Sequence, residues 1–167
     1  MKYSVKLLDE SVYLNDFDCG DDDLNDYLKN DALKNQKSWL SVTRLMYFGE
    51  HLIGFYTVVP DTLHRGRIEL SDKIADYPYQ KYPAIKLARF AVDKKYQHQG
   101  FGKELMGDFF ETARDAVWIE GGRFITVDAK SGAVGFYSSY GFHPVASASR
   151  DDIVPMYLDF FKFYTQE

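Results

Sequence analysis

Residues 97 to 103 read Gln-His-Gln-Gly-Phe-Gly-Lys, between the apolar run IKLARFAV and a segment with helical periodicity. Two glycines one residue apart at such a junction supply backbone freedom and a small footprint, and a helix N-terminus offers unpaired N–H groups to an anion. Gln97, His98, Gln99, Gly100, Phe101, Gly102 and Lys103 therefore form a candidate phosphate cradle. Two familiar glycine motifs do not fit it. A P-loop has four residues between its glycines and then Gly-Lys-Ser or Gly-Lys-Thr, and neither the spacing nor the hydroxyl is present. A dinucleotide fingerprint has a third glycine three positions after the second, where this chain has Leu105.

The elements that position the cradle follow from apolar periodicity. AIKLARFAVD is a strand leading into it, and Phe101, Leu105, Phe109, Phe110 and Ala113 mark the buried face of a helix running to about Val117. FITVDA is the next strand, so strand, glycine turn, helix and strand form a βαβ unit. Upstream, YSVKLL is a strand, and the segment FDCGDDDLNDYLKNDALKNQ enters a helix through aspartates that suit its positive end. Leu24, Tyr27, Leu28 and Asp31 share one face of that helix by spacing. SVTRLMYF and LIGFYTVV flank Gly-Glu-His as a hairpin, and the proline-marked stretch from Pro60 to Pro83 is expected as a loop. Downstream, AVGFYSSY is a short helix, and FHPVA pairs with VPMYLDFFKFY as a terminal antiparallel couple.

The turn after Phe90-Ala91-Val92, with its Q-x-x-G-x-G pattern, resembles the coenzyme A pyrophosphate arm of the GCN5-related N-acetyltransferases (the GNAT family). The resemblance extends over nearly the whole chain and implies the fold of that family, an α/β, mostly antiparallel sheet with a splayed parallel strand pair, flanked by helices. It implies acetyl-CoA as co-substrate and no metal. Phe90, Ala91 and Val92 would offer backbone groups to pantetheine, and N–H groups of residues 98 to 103 would surround the two phosphates. SGAVGFYSSYGF resembles a second family segment, in which the first tyrosine protonates the departing coenzyme A sulfur; Tyr137 is the matching residue. Phenol and thiol acidities, about 10 and 8.5, are close enough for such sharing. No histidine or glutamate stands out as a general base: His64 and Glu69 fall in the irregular stretch, His98 in the arm and His143 in a turn.

A narrower resemblance concerns the acceptor. FDCG followed by L-x-x-Y-L, then Ala32 and Gln36, is similar to the opening of toxin-type members of toxin–antitoxin pairs, which acetylate the α-amine of aminoacyl-tRNA. Where those proteins tend to carry Val-His-Ala, this chain has Val127-Asp128-Ala129. The resemblance implies aminoacyl-tRNA as acceptor and a small antitoxin protein as partner, with a homodimer as a further option. A protein or small-molecule amine acetyltransferase and a non-catalytic coenzyme A sensor stay open beside it.

Bulk composition is compatible with a single domain over residues 1–167. Twenty basic against 25 acidic residues give a net charge of −5, so any tRNA surface must be a local patch, with Lys34, Lys37, Arg44, Arg65, Arg67 and Arg89 as candidates. One cysteine forms no internal disulfide, and no apolar run approaches the about 20 residues that cross a bilayer. No signal-peptide core precedes the first strand, and a cytoplasmic setting is the expectation.

Overall fold

Two runs rich in β-branched and aromatic residues on either side of Gly49-Glu50 build a hairpin: β2 (Val42–Phe48) pairs antiparallel with β3 (His51–His64). β1 (Tyr3–Leu7) adds to its outer side, from Tyr3↔Phe48 to Leu7↔Arg44. Thr43 and Thr57 face each other in this ladder, fully buried, with their hydroxyls 2.7 Å apart, so each supplies the partner the other needs. The computed structural model describes residues 2–146 and 150–166.

Besides short 3-10 turns at Arg65–Arg67, Leu70–Asp72 and Ser131–Ala133, the remaining elements are a helical run of α1 (Asp22–Asp26), a π-turn at Tyr27–Asp31 and α2 (Ala32–Lys37); β4 (Lys81–Val92); α3 (Phe101–Glu120); β5 (Phe124–Lys130); α4 (Val134–Ser138); β6 (His143–Pro144); β7 (Ile153–Asp159); and α5 (Phe160–Thr165). The strands form one seven-stranded mixed sheet in the order β1-β2-β3-β4-β5-β7-β6, flanked by helices, with β4 and β5 as its parallel pair. By compactness the chain divides into two units that share β3, β4 and α3: Met1–Val59 with Ala88–Arg114, and Pro60–Leu87 with Asp115–Glu167. Leu8, Phe17, Leu28, Leu45 and Phe55 centre the core of the first; Tyr82, Phe124 and Tyr157 centre that of the second.

Four details depart from the expectations. The π-turn admits one extra residue, shown by the Ala32 amide reaching Tyr27 O, so the buried position after Leu28 is Ala32 and Asp31 is exposed. Pro60 and Pro83 lie inside β3 and β4 at exposed positions, where a missing donor costs little, and the irregular stretch shrinks to 65–80. That stretch is held by Tyr157, whose hydroxyl accepts from Glu69 N (2.9 Å) and donates to Asp72 Oδ2 (2.8 Å). α3 runs to Glu120, one turn beyond the expected end. The C-terminal strand stops at Asp159, because that carboxylate caps α5 by accepting from Lys162 N while binding the Arg123 guanidinium in two contacts of 2.9 and 3.0 Å.

Gly54 sets the spacing between β3 and the end of β4. A Cβ there would stand 2.6 Å from Ala91 O and 3.3 Å from Val92 Cα, so only glycine lets the backbones approach this closely. Gly54→Ala is expected to destabilise the protein by about 1–3 kcal/mol through this overpacking. Thermal denaturation should show a melting temperature several degrees below wild type; an unchanged value would mean that β4 yields freely at Ala91.

Candidate active site

The arm is shaped by local backbone geometry and by side chains that hold it from behind. His98 and Gly100 both take left-handed conformations, with φ of 60° and 90°, and residues 94–100 run in successive turns up to the start of α3. The first N–H groups of this 20-residue helix have no intrahelical acceptor, so Phe101, Gly102 and Lys103 present donors at its N-terminal end, directly after the left-handed residues. Gln97 works differently. Its side-chain amide donates to Cys19 O and Val92 O, both at 2.9 Å, so its side chain braces the arm. Gln99 similarly donates to Lys95 O at 2.9 Å.

Asp93, 3% exposed, anchors the loop into the arm: its carboxylate accepts from Asp18 N (3.1 Å) and Lys95 N (2.9 Å). Lys94 is paired with Asp18 at 2.5 Å, and this contact, with further donors from Gly20 N and Asn25, holds the Asp18 carboxyl well below the usual range. Of the basic residues near the arm, Lys94 is therefore engaged, while Lys103 is exposed on α3.

In the second unit the parallel ladder is short. β4 and β5 pair from Ala84↔Phe124 to Leu87↔Val127, whereas β4 continues to Val92 and β5 to Lys130. At the last rungs of this ladder lies a cavity of about 410 Å³, walled by Asp61 and Thr126, by Lys86 and Asp128, and by Met156 and Pro155. Thr126, 7% exposed, donates its hydroxyl to Asp61 Oδ2 at 2.7 Å, and Lys86 Nζ meets Asp128 Oδ2 at 2.6 Å. Arg67 and Lys81 also line it. Sequence reasoning missed Asp61, because Pro60 marked its neighbourhood as loop, whereas β3 runs through the proline to His64.

Tyr137 is buried, 6% exposed, with its ring against Phe136 (5.3 Å) and Phe142 (5.7 Å). Burial lifts its hydroxyl pKa above the ordinary tyrosine value, so it stays protonated throughout the neutral range. Tyr140 differs: half-buried, it lines a separate cavity of about 260 Å³ with Asp72, His143 and Lys162. Among the described residues no group of three or more His, Cys, Asp or Glu side chains is placed to hold a metal ion, and no helix is long and apolar enough to cross a membrane.

Comparison with solved structures gives the same fold over full-length chains. A tyrosine-to-phenylalanine mutant of KacT superposes with a TM-score of 0.88 at 22% identity, covering 100% of both chains. AtaT complexed with acetyl-methionyl-tRNAfMet matches with a TM-score of 0.87 at 22% identity over 99% of each chain. An AtaT mutant toxin bound to the C-terminus of the antitoxin AtaR and acetyl-CoA matches with a TM-score of 0.77 at 19% identity, over 98% of this chain and 97% of that one. The acetyltransferase (GNAT) domain family matches residues 66–158, more than half of the chain, including the arm, the parallel strand pair and Tyr137. The chain belongs to the GNAT family and is an acetyl-CoA-dependent N-acetyltransferase.

Proposed function

We propose that this enzyme transfers the acetyl group of acetyl-CoA to the α-amine of aminoacyl-tRNA, as a toxin-type member of its family with a small antitoxin protein as partner. The observation that carries the acceptor is the full-length similarity to AtaT, a protein captured with acetyl-methionyl-tRNAfMet. The AtaR-bound form of AtaT supports the antitoxin partner. An α-amine of pKa about 8 is roughly a tenth neutral at pH 7, so direct attack proceeds without a dedicated base. The single cysteine and the lack of a membrane-crossing helix among the described residues are consistent with a cytoplasmic setting.

In this reading the left-handed turn at His98 and Gly100 and the first N–H groups of α3 hold the pyrophosphate, with Lys103 at its rim. Backbone groups of Phe90, Ala91 and Val92 align the pantetheine as a strand would, and the Ala91 or Val92 N–H receives the developing oxyanion. The amine nitrogen forms its bond to the acetyl carbon, the carbon–sulfur bond breaks, and the surplus amine proton leaves to solvent. Tyr137 donates its hydroxyl to the sulfur as charge develops there. A phenol is already a weaker acid than the thiol being formed and burial widens the gap, so its contribution is a hydrogen bond to the nascent thiolate, with solvent completing the protonation.

Four outcomes are expected. Gly102→Glu places an anion in the first turn of α3, and calorimetry should show acetyl-CoA affinity lost while circular dichroism stays native; unchanged affinity would remove the phosphates from the arm. Tyr137→Phe should keep acetyl-CoA affinity but lower single-turnover acetylation by about 10²–10⁴-fold, whereas Tyr140→Phe should stay near wild type. Since burial keeps Tyr137 protonated, the wild-type rate should rise with amine deprotonation and then hold level to about pH 10, without a descending limb from this residue. Finally, acetylation of a charged tRNA pool should fall steeply with salt, and a wild type that leaves every aminoacyl-tRNA unmodified at low salt would return the acceptor to proteins or small amines.

A further inference from the structure

The cavity at the end of the parallel ladder carries charge of both signs in an unequal arrangement. Lys86 and Asp128 are joined at 2.6 Å and cancel. What remains is one carboxylate, Asp61, and two cations, Arg67 and Lys81, both exposed at the mouth. Asp61 is also the most tightly placed of these groups. Its Oδ2 accepts from the buried Thr126 hydroxyl at 2.7 Å and its Oδ1 from Thr62 N at 2.8 Å. A carboxylate has about four acceptor positions, so after these two bonds Asp61 keeps capacity for a further donor.

We infer that Asp61 receives the acceptor's amino group, held in aim by Thr126, and that Arg67 and Lys81 receive an anionic group on the body that carries the amine. The specificity is then for a primary amine on a phosphate-bearing carrier, and against polycations. This rests on the acceptor reading given above and adds to it the residues that recognise each end. A carboxylate accepts a hydrogen bond from an ammonium and from a neutral amine alike, so Asp61 keeps the nitrogen in place after the proton has left and its lone pair has become free to attack. Polyamines satisfy Asp61 but meet Arg67 and Lys81 as like charges, which is a device for rejecting them. Thr126 touches no substrate here; it is a positioning residue that acts through Asp61.

The test compares wild type, Asp61→Asn, Thr126→Val and the double variant Arg67→Ala/Lys81→Ala on a charged tRNA pool and on spermidine, with acetyl-CoA affinity measured for each by calorimetry. Asp61→Asn leaves an amide oxygen to accept from Thr62 N and an amino group that can donate to the Thr126 hydroxyl while the charge is removed, so the fold and acetyl-CoA binding should be retained. Asp61→Asn should raise KM by about 10- to 100-fold for whichever amine the wild type acetylates, with kcat reduced much less. Thr126→Val should raise the same KM by a smaller factor. The double variant should weaken use of tRNA, flatten its salt dependence and leave spermidine unaffected or improved. An unchanged acceptor KM in Asp61→Asn overturns the amine site, and an equal loss for tRNA and spermidine in the double variant overturns the anion site. A wild type that acetylates spermidine and no tRNA defeats both the acceptor reading and the anion site, while Asp61→Asn still decides the amine site on spermidine.

Discussion

The pairing of β4 with β5 over only Ala84–Leu87 and Phe124–Val127 governs what the rest of the chain has to supply. Buried peptide groups must find partners, and β4 runs on to Val92 after its parallel neighbour has stopped serving it. Side chains take over part of that duty: Gln97 bonds the Val92 carbonyl, and Arg89 bonds the carbonyl of Ala88 at 2.8 Å while its guanidinium lies 4.6 Å over the Tyr27 ring. On the β3 side, the absence of a methyl at position 54 lets Ala91 and Val92 come close. On the proposed reading, in which an amide-rich pantetheine lies beside this strand, the edge has to be left partly open and stiffly supported, and these contacts provide the support.

Support elsewhere is polar and specific. Tyr56, fully buried, donates to Asp108 at 2.7 Å and contacts Thr112 Oγ1 at 2.8 Å, which fastens β3 to the middle of α3, the helix whose first turn belongs to the arm. In the second unit Tyr157 ties β7 to the 69–72 turn, and Lys162 reaches Asp72 Oδ1 at 3.0 Å from the other side. Burying a phenol costs little when its oxygen is satisfied in this way, and the ring still contributes its apolar area to the core.

The parts of the fold that could be read from the chain were those with local causes. Gly100 announces the turn before α3 because left-handed backbone is a property of a single residue, and the periodicity of Phe101, Leu105, Phe109 and Phe110 announces α3 because it too is local. What stayed illegible was set by partners far away in sequence. Asp61 acquires its meaning from Thr126, and Asp128, about which its own neighbours in sequence say nothing, acquires its own from Lys86. The end of β7 depends on Arg123 claiming Asp159, whereas the aromatic run beyond it reads as more strand. The π-turn at Tyr27 shifts the buried face by one residue, a change that regular helical spacing does not encode.

The pair of hydrogen bonds from Gln97 to Cys19 O and Val92 O has a consequence for binding entropy. With Asp93 on the Asp18 amide and Lys94 on its carboxylate, it makes the 17–21 turn and the arm one connected piece, built when the chain folds. A flexible glycine loop would have to be ordered by each arriving ligand, and that ordering would be subtracted from the affinity. Here the turn is preorganised: the two residues that must hold left-handed backbone, His98 and Gly100, are flanked by braces at Gln97 and Gln99, so under the proposed reading the free energy of a phosphate contact would go into retaining the ligand and not into shaping the loop.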